Sequence, residues 1–289
     1  KLQPKYLSMI IPARWFTGGK GLDDFRDQML NDRRISEIHD FPNSNDCFTG
    51  VEIKGGVCYF LWEEQHNDDC LIVTHEKNSQ ISEMKRPLKE EGLDFLIRYN
   101  SAIDILRKVS SKQESSFSSL VSARKPFYLP TTFKGKKEPY SDKYNNVTLY
   151  QNKSISYVKR EEIPTNKQLI DQHKLFVPKA IGSGDSKTDW VKPIYAEPNT
   201  ACTETYLVIG PFEDKQICEN VISYISTKFF HFLLTLKKNT QDATKKVYEL
   251  VPIQDFSKPW TDKELYEKYQ LTQAEIEYIE SMVRPVSNE

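Results

Sequence analysis

The sequence predicts an α/β domain followed by an α+β domain. Two observations carry this reading. A short, nearly continuous apolar run near the start leads through a Gly-rich turn into a helix-periodic segment and then further strand-like runs. Beyond a Ser-rich stretch at residues 110–119, short β-like runs recur between Pro, Gly and Asn, and a long amphipathic segment follows. At 289 residues the chain has room for two modest domains, and 38% hydrophobic with 28% charged residues describes a folded protein with a core.

Taken in order, Tyr6-Leu7-Ser8-Met9-Ile10-Ile11-Pro12 reads as a strand buried on both faces, as in a parallel sheet. Gly18-Gly19-Lys20-Gly21 turns the chain into residues 22–30, where Leu22, Phe25, Met29 and Leu30 recur at helical spacing behind an acidic first turn. Ile35–Phe41 is the next strand, residues 57–62 a third and residues 70–74 a fourth. Strand, helix, strand and hairpin is how an α/β sheet ends, so the chain reads as part of a longer polypeptide. Residues 93–98 look strand-like, and Asn100 is a candidate N-cap for a helix in which Ile103, Leu106 and Val109 share a face.

After the Ser-rich linker, strand-like runs fall at residues 126–129, 147–150, 155–158, 175–178 and 205–210. Residues 215–236 form one amphipathic helix, with Ile217, Val221, Ile222, Ile225, Phe229, Phe232 and Leu233 inward. The capping boxes Thr261-x-x-Glu264 and Thr272-x-x-Glu275 open two short closing helices.

The formal charge of -1 conceals an uneven distribution. Lys and Arg outnumber Asp and Glu between residues 124 and 187, and Lys228, Lys237, Lys238, Lys245 and Lys246 add to the excess. A basic middle between acidic ends suggests one face shaped for a polyanion. The five cysteines lack any C-x-x-C spacing and the five histidines are dispersed, which argues against a disulfide framework and a metal cluster. No apolar run approaches the length of a membrane helix and no signal peptide precedes Pro12, so a bacterial cytoplasmic location is expected.

The most informative stretch is Phe41-Pro42-Asn43-Ser44-Asn45-Asp46-Cys47-Phe48-Thr49-Gly50-Val51-Glu52-Ile53-Lys54-Gly55-Gly56, which runs straight into Val57-Cys58-Tyr59-Phe60-Leu61-Trp62. An aromatic ring on a polar, Gly-rich loop at the mouth of a strand has reason to be exposed when it stacks on something flat. With Met9-Ile10-Ile11-Pro12-Ala13-Arg14-Trp15-Phe16, the Gly-rich turn and Leu22-x-x-Phe25-Arg26-x-x-Met29-Leu30, this order resembles N6-adenine DNA methyltransferases of the TaqI type. The likeness lies in the half after the catalytic motif and is closest to the large restriction–modification methylases, including those fused to a nuclease. It implies that Phe48 clamps an adenine rotated out of the duplex. Such stacking is worth about 1–3 kcal/mol per base, comparable to the cost of unstacking.

The second domain resembles the target-recognition domains of these enzymes and of type I specificity subunits. The resemblance rests on Arg124-Lys125-Pro126-Phe127, on Lys174-Leu175-Phe176-Val177-Pro178-Lys179-Ala180-Ile181-Gly182-Ser183-Gly184, and on Asn220-Val221-Ile222-Ser223-Tyr224-Ile225-Ser226-Thr227-Lys228-Phe229-Phe230. Two loops have the make-up of DNA contacts: residues 179–187, small and basic with Ser183, Ser186 and Thr188, and residues 240–246. The expected DNA-binding residues are Arg124, Lys125, Lys179, Ser183, Ser186, Lys187, Lys237, Lys238, Lys245 and Lys246.

With the resemblance, the chain divides into the end of a Rossmann-like methyltransferase sheet (1–78), a helical connector and linker (79–119), a mixed α/β target-recognition domain (120–256) and a C-terminal helical segment (257–289). The intact enzyme would use S-adenosylmethionine, no metal, and double-stranded DNA with a flipped adenine as partner. The catalytic Asn-Pro-Pro-Tyr and the Gly-rich cofactor loop of the family are absent here; Asn199 follows Pro198 and cannot stand in, and Gly18–Gly21 is not such a loop. The chain is therefore expected to choose the sequence and hold the base, not to methylate by itself, and upstream catalytic and nuclease domains would complete it. A stand-alone specificity subunit is the alternative, and a protein interaction module a third. Asp46, Glu52 and Lys54 imitate a nuclease order that is common by chance in a chain this charged.

Overall fold

The computed structural model describes residues 3–18, 21–75, 81–142, 144–181, 190–238 and 242–283. Contacts group the chain into two compact units, Lys1–Arg107 and Lys108–Glu289.

The first unit is built on a five-stranded sheet of β1 (Tyr6–Pro12), β2 (Ile35–Phe41), β3 (Val57–Glu63), β4 (Cys70–His75) and β5 (Ile81–Arg86), in the order β1-β3-β2-β4-β5. β3 runs antiparallel between β1 and β2, while β4 lies parallel to β2. The hairpin is β4–β5, not the third and fourth runs read from the sequence. One sheet face, carrying Ile38, Cys58, Phe60, Cys70 and Ile72, closes a core with Trp15, Phe16 and Leu30, the last from α1 (Asp23–Asn31).

β1 departs from the expectation of a strand buried on both faces. It is an edge strand whose described partner is β3 alone, and Tyr6 is 67% and Ile10 52% exposed. Residues 93–98 are not a strand but an irregular segment whose Phe95, Leu96 and Ile97 are buried, Leu96 N donating to Phe16 O at 2.9 Å. Asn100 does not cap α2 (Ile103–Ser110). Its buried amide nitrogen donates to Ile72 O at 2.9 Å and Ser82 O at 3.1 Å, and its oxygen accepts from Arg86 Nε at 3.0 Å.

The second unit holds two three-stranded sheets. The first joins β6 (Asn146–Gln151), β7 (Ser154–Lys159) and β10 (Thr200–Cys202); the second joins β8 (His173–Pro178), β9 (Ile194–Ala196) and β11 (Tyr206–Phe212). Residues 126–129 form no strand, since Lys125 and Tyr128 take positive φ angles of 58° and 59°. Within the Ser-rich stretch, Phe117 is fully buried and packs edge-on to Phe230 at 5.3 Å.

The single helix expected over residues 215–236 is two, α3 (Lys215–Ile225) and α4 (Lys228–Lys237). Ser226 and Thr227 divide them by turning their hydroxyls onto the backbone, to Ile222 O at 2.7 Å and Tyr224 O at 2.8 Å; Thr227 Oγ1 then accepts from Phe230 N at 3.2 Å as the new N-cap. Both predicted capping boxes are present, at the starts of α5 (Asp262–Lys268) and α6 (Gln273–Met282).

Candidate nucleic-acid interface

In the first unit the candidate site is the loop between β2 and β3, and its backbone is tied at several points. Ser44, buried at its root, donates to Val51 O at 2.6 Å and accepts from Ile53 N at 2.8 Å. Phe48 N donates to Ser44 O at 2.7 Å, and Val51 N to Phe48 O at 3.1 Å. The Asn45 side chain accepts from Gly50 N at 3.1 Å. Phe48 therefore stands on a closed hydrogen-bonded turn, and the residue is 39% exposed.

The far end of the loop is held from below. Arg98 grips the fully buried Asp40 of β2 through two nitrogens at 2.8 Å each and donates to Gly55 O at 2.9 Å. Gly56, at φ +77°, sits so close to the strand end that a Cβ there would lie 2.2 Å from Phe41 O. Only glycine meets both demands. The sequence reading singled out Phe48 but missed Ser44, Asp40 and Arg98, whose partners lie 7 to 58 residues away.

The sheet face opposite the core carries a column of rings. Phe41 stacks on His75 at 4.0 Å and His39 on Tyr59 at 4.4 Å between centroids. His39 Nδ1 and His75 Nε2 lie 3.0 Å apart, and His39 also meets Glu37 through Nε2. Burial, assisted by His39, pushes the His75 pKa below the usual histidine value.

In the second unit three predicted residues converge. Lys125 and Arg124 pair with Glu204 at 3.4 and 3.8 Å. Burial works to raise the Glu204 pKa, but Lys125, Arg124 and Lys179 outweigh it and hold the carboxyl below its ordinary range. Arg124 and Lys125 thus flank this carboxylate, with Lys179 acting on it as a third cation. The two predicted loops also meet: Ala180 bridges Asp242, and Ala243 N donates to Lys179 O at 2.8 Å. Lys245 and Lys246 are exposed. Ser183, Ser186 and Lys187 lie outside the described residues.

Lys237 and Lys238 differ from the expectation. Both are buried at the end of α4, and the Lys237 ammonium is paired with Glu249. A buried, ion-paired lysine is not available to a phosphate. Another basic cluster was missed: Lys136 and Lys159 both lie over the Tyr140 ring.

The remaining chemistry is modest. Among the described residues no group of three or more His, Cys, Asp or Glu is arranged to hold a metal, and Asp46 of the nuclease-like order accepts from the Asn43 amide at 3.2 Å. Gly18 O accepts from Arg26 at 3.4 Å, so that glycine closes the strand–helix turn.

Known proteins match the chain in part. Residues 1–48 match the family model described as Eco57I restriction-modification methylase. An "Uncharacterized adenine-specific methylase" of Mycoplasma pneumoniae (strain ATCC 29342 / M129 / Subtype 1) is 35% identical over 135 residues, 44% of this chain and 32% of that protein. The match thus spans about a third of the relative's length. The type IIG restriction endonuclease BpuSI aligns over 92% of this chain and 42% of its own, with a TM-score of 0.34 and 11% identity. The type IIL restriction-modification enzyme MmeI, solved in complex with DNA, aligns over 84% and 37%, with a TM-score of 0.41 and 10% identity. In sequence, then, the chain is similar in part to a restriction-modification methylase and in part to an adenine-specific methylase.

Proposed function

We propose that this chain is the sequence-reading and base-holding part of a site-specific N6-adenine DNA methyltransferase of a restriction–modification system. Phe48 stacks on the target adenine once it has left the duplex, and the second unit reads the flanking DNA. The observation that carries this is Phe48 itself, a residue 39% exposed on a turn whose backbone is locked by Ser44 and Asn45. A buried core phenylalanine would have no such platform. The cations around Glu204, with exposed Lys245 and Lys246, supply contacts for phosphates.

Methyl transfer belongs to residues this chain lacks. The exposed edge of β1 supports the same reading, because it is where a preceding strand of the catalytic sheet would pair.

The test is Phe48→Ala in the intact enzyme. Base extrusion, read from 2-aminopurine fluorescence at the target position, is expected to fall while S-adenosylmethionine binding is retained. Unchanged extrusion and unchanged methylation would overturn the reading.

A further inference from the structure

We propose that the outer face of the β10-β6-β7 sheet is a second phosphate-binding surface, on which Lys136 and Lys159 take two DNA backbone phosphates beside the Tyr140 ring. This rests on the DNA reading above and adds a surface that the sequence motifs did not select.

The local charge is the first support. Residues 133–160 contain seven Lys or Arg (134, 136, 137, 143, 153, 159, 160) against two acids (138, 142), an excess of five in a chain whose net charge is -1. Backbone pairing is the second. Lys136 N donates to Tyr157 O at 2.8 Å and Tyr157 N to Lys136 O at 2.9 Å, so the 136 segment adds to the edge of β7. Residues directly opposite, or two apart along a strand, share a face. Lys136, Tyr157, Lys159 and Ile155 therefore lie on one face, opposite the one that buries Val158. This face is open to solvent, with Ile155 56% exposed.

The third support is the convergence of charge. The Lys136 ammonium lies 4.6 Å and the Lys159 ammonium 5.8 Å from the centroid of Tyr140. Two like charges gathered at one ring repel, and phosphate oxygens placed over them relieve that repulsion. Neighbouring Arg160 is engaged otherwise: Asp171 accepts two bonds from it at 2.7 Å. Among the described residues the ion pair of Lys159 is an exposed one with Glu161 at 3.4 Å, which a phosphate displaces readily.

The test compares the 289-residue chain with its Lys136→Gln/Lys159→Gln variant by fluorescence anisotropy on a labelled duplex over a range of salt. Each phosphate contact contributes about 0.9 to the slope of log K against log salt, so the variant's slope should be smaller by about 1.8, equally on every sequence. As a second measurement, duplex DNA should shield both lysines of the unsubstituted chain from acetylation. A variant with the full slope, or lysines acetylated equally with and without DNA, would overturn the surface while leaving the DNA reading standing. An unsubstituted chain with no salt-dependent duplex binding would overturn both.

Discussion

Arg98 and Asp40 form a two-toothed ion pair beneath the Phe48 loop, with Arg98 Nε and Nη2 each 2.8 Å from a carboxylate oxygen. The same guanidinium donates to Gly55 O, so one side chain joins the irregular 93–98 segment, β2 and the loop that carries Phe48.

Removing one partner of this pair should be costly. Arg98→Met leaves the Asp40 carboxylate buried without its counter-charge, and a loss of about 3–5 kcal/mol is expected in urea unfolding of the first unit. Asp40→Asn combined with Arg98→Met should recover part of that loss, because no charge is then stranded.

Ser44→Ala removes the hydroxyl that bonds both Val51 and Ile53. Stability should fall by about 0.5–1.5 kcal/mol, since the part-buried Ile53 amide and Val51 carbonyl lose their partner. The Ile53 amide should exchange faster with deuterium, and 2-aminopurine extrusion should weaken with the Phe48 ring still in place.

Gly56→Ala places a methyl group 2.2 Å from Phe41 O in a backbone region that disfavours side chains. Thermal unfolding should move down by several degrees, as a loss of about 2 kcal/mol or more would require. Gly50→Ala, at φ +81° with open space around it, should cost less.

Lys174 gives a dependence on pH. It is fully buried in β8, its ammonium donating to Ile170 O at 3.2 Å and Gln172 O at 3.0 Å. Burial pushes its pKa down from 10.5 to about 8. Between these values the unfolded chain holds the proton and the folded chain releases it, so this group adds stability as pH rises from about 8 to 10.5. The urea midpoint of the native chain should gain on that of Lys174→Met over the same window. Parallel curves would refute the assignment.

Local patterns were legible where the physics was local. Ile35–Phe41 was read with its observed bounds, and both threonine–glutamate capping boxes close as their spacing required. β5 escaped notice because Ile81-Ser82-Glu83-Met84-Lys85-Arg86 has only two apolar residues, as an outer strand permits. Ser226 and Thr227 hid inside an apolar periodicity that ran through them, although their hydroxyls end one helix and start the next. Asn100 sits where a cap belongs in sequence, yet Ile72, Ser82 and Arg86 claim its side chain. The site divides in the same way. The exposure of Phe48 was legible from its loop, whereas burial of Lys237 and Lys238, and the meeting of Lys136 and Lys159 at Tyr140, depend on packing between distant residues.

The bare rim of β1 bears on how the protein behaves in the test tube. Tyr6, Leu7, Met9 and Ile10 present apolar groups along a strand edge that pairs with no other strand among the described residues, the combination through which copies zip together into insoluble material. Produced alone, the chain should precipitate as its concentration rises, and Met9→Lys should keep it dispersed.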